Sequence, residues 1–428
     1  MSLNGDTRPE SLATCWLESR RYDAALLRTS EQNPFTPLRL ARTLHAVVTK
    51  MTPAEKLLRE LIALPSVNPA FLPVNDPRAG EQRVADFLAA TAATGGLHVA
   101  FHPVAPGRAN LVARLTPTRV RRRVVLAPHM DTVGHAGMAD ALFVPTKKGD
   151  RLFGRGACDT KGSAAAMLTA LLRVASSKSR PQETEIIFTA LVDEESGQTG
   201  SRSLVANGFR ADLAIVGEPT RLRVITAHKG DLWLRLRTHG KAAHGSRPEL
   251  GRNAVHAMAR VVDWLETDYA KQLAKKSHPL LGPATVNVGS IRGGTQPNIV
   301  PDLCEISVDR RTIPGESDAQ IIRDLRAQLR ARGLTVEVTD NKNAAPCRPM
   351  ETDARLPLVQ SLLRTAKQRA PLGARFFSDA AVFAAGGTPA VLFGPGDIAQ
   401  AHTADEWISL RSLNRATDLL EKFLRELP

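Results

Sequence analysis

Arg123-Val124-Val125-Leu126-Ala127-Pro128-His129-Met130-Asp131-Thr132-Val133 opens with an apolar run of strand length and closes into a turn, so His129 is expected at a strand's carboxyl end. The same grammar recurs three times. The run from Glu185 to Val192 leads into Asp193-Glu194-Glu195-Ser196-Gly197, Leu213 to Val216 precedes Gly217-Glu218-Pro219-Thr220, and Pro389 to Phe393 precedes Gly394-Pro395-Gly396. Open α/β sheets place their sites beyond the carboxyl ends of strands. Strand ends that deliver acids and imidazoles in series therefore predict both a sheet and a site.

Outward from these runs, residues 1–50 are polar, contain prolines and are weakly periodic, and are expected to form an N-terminal extension. A helix is predicted at Met51-Thr52-Pro53, with Thr52 as cap, Pro53 in the first turn and Leu57, Leu58, Leu61 and Ile62 on one face. Helices and apolar strands then alternate to about residue 226, which predicts a mostly parallel sheet with crossovers. From Leu232 to Arg237 the pattern alternates apolar and polar. A helix from Asn253 to about Tyr269 follows, then strands near 285–288 and 304–308, a helix over Asp318 to Arg332, and a strand at 335–338. That order is that of a ferredoxin-like unit. The expected organisation is an α/β catalytic domain from 51–226 and 340–428, interrupted by a ferredoxin-like α+β unit at 227–339.

The chain has 428 residues, too many for one ordinary core. Its four cysteines, at 15, 158, 304 and 347, show no paired spacing, which argues against a disulfide scaffold and for a reducing, cytoplasmic setting. No stretch approaches the roughly 18 consecutive apolar residues of a membrane span. The net charge of +14 is spread along the chain and aromatic residues are only 4%, so a solvated basic surface is expected rather than a nucleic-acid interface.

Two divalent metals about 3.5–4 Å apart need a bridging carboxylate with imidazole and carboxylate ligands on either side. Asp159, among the glycines of Gly154-Arg155-Gly156-Ala157-Cys158-Asp159-Thr160-Lys161-Gly162, suits the bridge. Asp131, two residues after His129, suits a hydrogen bond to the imidazole nitrogen turned from the metal. Adjacent Glu194 and Glu195 point different ways, so one can ligate while the other faces a bound water as general base.

These motifs, with Ala401-His402-Thr403-Ala404-Asp405-Glu406, resemble the M20 metallopeptidases and deacylases from about Met51 to the C-terminus. The resemblance implies two zinc ions, with cobalt or manganese as substitutes. His129, Asp159 and Glu218 would hold one, and Asp159, Glu195 and His402 the other. Glu194 would be the base, with Asp131 behind His129. The inserted unit resembles the family's lid and dimerisation domain, implying a homodimer in which His244 supports the oxyanion at the partner's site, while Asn298 and Arg311 contact substrate. The Gly394-Pro395-Gly396 to His402 stretch is most similar to acetylornithine deacetylases, so the expected substrate is a small N-acyl amino acid such as N-acetylornithine. A dipeptidase or carboxypeptidase, a succinyl-diaminopimelate desuccinylase, and a catalytically inactive basic binding protein are the alternatives.

Overall fold

Thr52 Oγ1 accepts a hydrogen bond from the Glu55 main-chain N–H (3.2 Å), and Pro53 follows with its φ already helical, so the helix Pro53–Ala63 starts where its sequence signals it. The computed structural model describes residues 51–340 and 347–428, and this helix is its first element. The expected extension at 1–50 lies outside the described residues.

A nine-stranded sheet carries the larger part of the chain. Its path runs His98–Ala105, Arg108–Leu115, Thr184–Ala190, Arg122–Ala127, Leu213–Val216, Ala390–Leu392, Ile225–His228 and Met350–Glu351, with Leu372–Ala374 also paired to Ile225–His228. The central pairs are parallel: Arg122–Ala127 lies between Thr184–Ala190 and Leu213–Val216, and Ala390–Leu392 adds to the latter. Strands buried on both faces need no alternation, which is why Thr184–Ala190 is buried at every position. On one face pack the helices Pro53–Ala63, Gln82–Thr94, Lys161–Ala175 and Leu410–Arg425. Leu204, Ala380 and Phe383, from the helices Thr199–Ala206 and Ala380–Ala385, cover the other.

The chain leaves this sheet at His228 and enters a second one at Gly230. The second is four-stranded and antiparallel, ordered Thr285–Gly293, Leu303–Thr312, Gly230–His239, Glu337–Asp340. With the helices Ala254–Trp264 and Asp318–Ala331 packed on one face, this is the ferredoxin-like arrangement read from the sequence. The first of those helices departs from its expected end: it passes through a π turn at Leu265–Tyr269 and continues to Ala274. The last strand begins at Glu337 rather than 335. No described helix is long and apolar enough to cross a membrane.

A three-stranded sheet of Thr146–Lys148, Arg151–Phe153 and Trp407–Ser409 brings the C-terminal region beside the loop that precedes the Lys161–Ala175 helix. Gly162 in that helix is closely hemmed, since a Cβ there would lie 2.5 Å from the Ala157 carbonyl oxygen and 2.7 Å from Ile408 Cδ1. Gly162→Ala should therefore lower stability by about 1–3 kcal/mol in urea unfolding. An unchanged midpoint would contradict this packing.

Candidate active site

Each expected metal ligand follows an element that ends or begins at one edge of the parallel strands. His129 lies two residues beyond Arg122–Ala127, Glu218 two beyond Leu213–Val216, and Glu194 and Glu195 shortly beyond Thr184–Ala190. Asp159 stands in the loop entering the Lys161–Ala175 helix, and His402 in the loop before Trp407–Ser409. His129, Asp159 and Glu195 offer ligand atoms within 4.8 Å of one another. His129 Nε2 is 3.1 Å from Asp159 Oδ1, and His402 Nε2 is 3.4 Å from Asp159 Oδ2 and 3.1 Å from Glu195 Oε2. Asp159 thus touches an imidazole with each oxygen, which is the placement a bridge requires. Asp193, just before the glutamate pair, and His402 both take left-handed φ values, +69° and +62°.

Buried carboxylates dominate the electrostatics. Burial, joined by the negative charge of Asp159, pushes Glu195 up to about 7 and raises Glu218 well above the usual carboxylate range. Burial also raises Glu194, against the attraction of His129. Burial opposes ionisation of Asp159 as well, but hydrogen bonds from His129 and His402 outweigh it and hold that group ionised. Glu195 Oε1 and Glu218 Oε1 are buried and hydrogen-bonded to nothing among the described residues. Orphaned carboxylate oxygens beside two imidazoles suit a divalent cation, with nitrogen and oxygen donors of the kind zinc takes. The cluster can hold a metal ion.

Sequence reasoning missed much of what braces this cluster. His129 Nδ1 donates to the Asp131 main-chain oxygen at 3.0 Å, while the Asp131 carboxylate lies 3.4 Å away. That carboxylate chiefly accepts from the Glu194 and Glu195 main-chain N–H groups, at 3.1 Å each, and so sets the direction of both glutamates. Asn68, fully buried, donates to Asp131 (2.8 Å) and to Asp193 (2.9 Å), and Arg108 links Asp193 to Glu81. A buried Asp379 joins from the other side, its carboxylate accepting from the Ser201 hydroxyl at 2.6 Å. Ser66-Val67-Asn68-Pro69 is a plausible turn in sequence, but its partners are 63 and 125 positions away and leave no local signal.

The candidate residues of the inserted unit, Arg311 on a strand and His244 and Asn298 in loops, stand apart, and none bonds to the cluster among the described residues. His244 is exposed, and its Nδ1 accepts from the Ser246 main-chain N–H at 3.2 Å. Asn298 is exposed too, its main-chain oxygen held by the Gly245 N–H at 2.7 Å. Strand alternation separates two neighbouring arginines: Arg310 turns inward to Glu316 and the Tyr269 hydroxyl, while Arg311 takes the other face and pairs with Asp309.

Fold and cluster together define a metal-binding α/β enzyme of the kind that works beyond its strand ends. The chain belongs to peptidase family M20/M25/M40, whose sequence profile matches residues 125–426, and is a hydrolase acting on amide bonds. It is 35% identical to an acetylornithine deacetylase of Myxococcus xanthus over 71% of this chain and 79% of that one. It is 30% identical to the acetylornithine deacetylase of Proteus mirabilis over 86% and 95%. Among solved structures, an M20 metallo-carboxypeptidase of Sulfolobus solfataricus superposes with a TM-score of 0.70 at 20% identity, covering 88% of this chain and 99% of that one. A dinuclear metal-binding M20 peptidase of Bacillus subtilis gives 0.65 at 13% identity, covering 87% and 96%. These two structures show that the fold is shared.

The acids also predict how the metal-free protein responds to pH. Burial puts Glu195 and Asp379 at about 7 in the fold, above their ordinary 4.5 and 3.8. A carboxyl raised on folding contributes stability that is complete below its ordinary value and is lost as pH rises through its folded value. The Tm of metal-free protein, measured relative to a Glu195→Gln, Asp379→Asn double variant, should therefore fall between pH 4.5 and about 7. A relative Tm that rises across this window would contradict the electrostatic account.

Proposed function

We propose that the chain is a two-metal amidohydrolase that removes the acyl group from a small N-acyl amino acid of the N-acetylornithine type, with zinc as the native pair and cobalt or manganese as substitutes. The observation that carries this reading is Asp159, buried and contacted through its two oxygens by His129 and His402, with Glu195 in contact with His402 and a buried Glu218 in electrostatic interaction with Asp159 and His129. The deacetylase names of the relatives at 30–35% identity supply the substrate class. His129, Asp159 and Glu218 hold one ion, and Asp159, Glu195 and His402 the other. A bound metal pair supplies Lewis acidity to the acyl carbonyl and makes a water acidic near neutral pH.

The protein's own groups carry the proton and orient the substrate. Glu194 is buried near His129 and Glu218 and has a raised proton affinity, which fits a base that takes the proton of the attacking water. The new C–O bond forms at the acyl carbon. The same carboxyl then returns the proton to the amine nitrogen as the C–N bond breaks. Asp131 positions Glu194 through its main-chain N–H.

We place residues 51–226 and 340–428 in a catalytic domain and 227–339 in a lid that also joins two copies of the chain. The Thr285–Gly293 strand supports this, because it is an edge of its sheet and leaves Ile291 54% exposed. In the dimer His244 serves the partner's site: with Nδ1 accepting from Ser246, its Nε2–H is the donor that an oxyanion needs. Asn298 and Arg311 contact the substrate, and the Arg311 fork suits an α-carboxylate. Cys158 and Cys304, buried and in no disulfide, fit a cytoplasmic protein.

Glu194→Gln should lower kcat by about 10²–10⁴-fold with the metal retained; near-normal turnover would remove Glu194 from the role of base. Arg311→Ala should raise KM for substrates with a free α-carboxylate and leave their amides unaffected, and equal effects on both would argue against the pairing. A panel of N-acyl amino acids and dipeptides, run with and without chelator, tests the substrate. Chelator-sensitive cleavage led by N-acetylornithine supports the reading, whereas a preference for dipeptides or for N-succinyl substrates would replace it. Absence of any hydrolysis would favour a binding protein.

A further inference from the structure

We propose that Glu406 is a positioning residue for the metal pair, a side chain that holds the Asp159 loop against the segment leading from His402. The proposal rests on the metal-centre reading above. Glu406 is 2% exposed, and its carboxylate gathers four donors from one loop. Oε1 accepts from the main-chain N–H groups of Cys158 (2.8 Å) and Asp159 (2.9 Å). Oε2 accepts from the Gly156 N–H (2.9 Å) and from Arg155 Nη1 (3.0 Å). The Glu406 main-chain oxygen accepts from the Gly154 N–H at 3.0 Å, so the loop from 154 to 159 is fastened at both ends to one residue.

The loop has no regular secondary structure and includes Gly154 and Gly156 at positive φ, +153° and +79°. Its own main-chain bonds, Ala157 N–H to the Gly154 oxygen (3.0 Å) and Lys161 N–H to the Gly156 oxygen (2.8 Å), do not involve Asp159 and so do not constrain its carboxylate directly. Charge-assisted hydrogen bonds to a buried carboxylate supply that constraint. His402 lies four residues before Glu406, and its imidazole reaches Asp159 and Glu195. Four hydrogen bonds and a short covalent segment therefore tie Asp159 to His402. A bridging carboxylate must present its two oxygens in different directions at once, and a loop free to slide by even 1 Å would serve one ion and fail the other.

Glu406→Gln keeps the volume but turns an amide N–H toward donors on one side, which removes the acceptor for about half of these bonds. Outer partners of metal ligands typically contribute about 10–100-fold to metal affinity or activity. Titration against a chromophoric chelator should show wild-type protein taking two ions and Glu406→Gln taking at least one of them about 10–100-fold more weakly. Thermal unfolding of the metal-free variant should remain cooperative, with kcat reduced and KM little changed. Glu406→Asp, which keeps the charge on a shorter arm, should recover part of the affinity.

Wild-type affinity for both ions in Glu406→Gln would overturn the proposal, as would a loss of Tm with metal affinity and kcat intact, the result of a purely structural role. Should Glu406→Gln fail to fold, Arg155→Ala, which removes one donor from the same carboxylate, is expected to weaken metal binding to a lesser degree. Unaltered binding there would likewise overturn it. Failure of the wild-type protein to bind any ion would reject the metal centre itself, a different outcome from a variant that binds as the wild type does.

Discussion

Carboxylates buried at one place are the constraint around which this molecule is built. Asp131, Asp159, Glu194, Glu218 and Asp379 are each no more than 8% exposed, and the Glu195 side chain is 7% exposed. Like charges in a low-dielectric interior repel strongly, and each desolvated carboxylate is costly unless paired. Part of the compensation is built into the chain. Asp131 takes main-chain N–H groups and the Asn68 amide, and Arg108 faces Asp193 and Glu81. Glu195 and Glu218, close to the charge of Asp159, are left less compensated, each with a buried Oε1 that makes no hydrogen bond among the described residues.

The parallel sheet makes such a concentration feasible. Its central strands run the same way, so their carboxyl ends share one edge, and the turns leaving them converge. The antiparallel additions at either side only widen the platform. The C-terminal histidine reaches the same edge by another route, through the three-stranded sheet that joins Trp407–Ser409 to Arg151–Phe153. The second large sheet contributes differently. It carries Arg311 on a strand and His244 and Asn298 in the connections between its elements, at exposed or half-exposed positions, and Asp231 of its first strand pairs with Cys347 where the chain returns. The residues proposed to meet the substrate thus lie apart from the cluster proposed to hold the metal.

Where placement follows directly from local pattern, the sequence was legible. An apolar run of strand length followed by an acid or imidazole located His129, Glu194, Glu195 and Glu218, because burial on both faces and a polar strand end are each written in consecutive residues. Thr52 and Pro53 announced a helix for the same reason. The π turn at Leu265–Tyr269 was not legible, since the apolar spacing on either side continues through it. Nor were Asn68, Arg108, Asp379 or the four donors around Glu406, whose partners lie tens to hundreds of positions away. Residues that orient a site are placed by tertiary packing, and their chemistry alone does not distinguish them from ordinary polar turns.

Anomalous diffraction from crystals grown with zinc, recorded on both sides of the zinc absorption edge, tests the central claim most directly. The account predicts two peaks about 3.5–4 Å apart, bridged by Asp159, with His129 and Glu218 on one and Glu195 and His402 on the other. A single peak, or peaks away from Asp159, would contradict it.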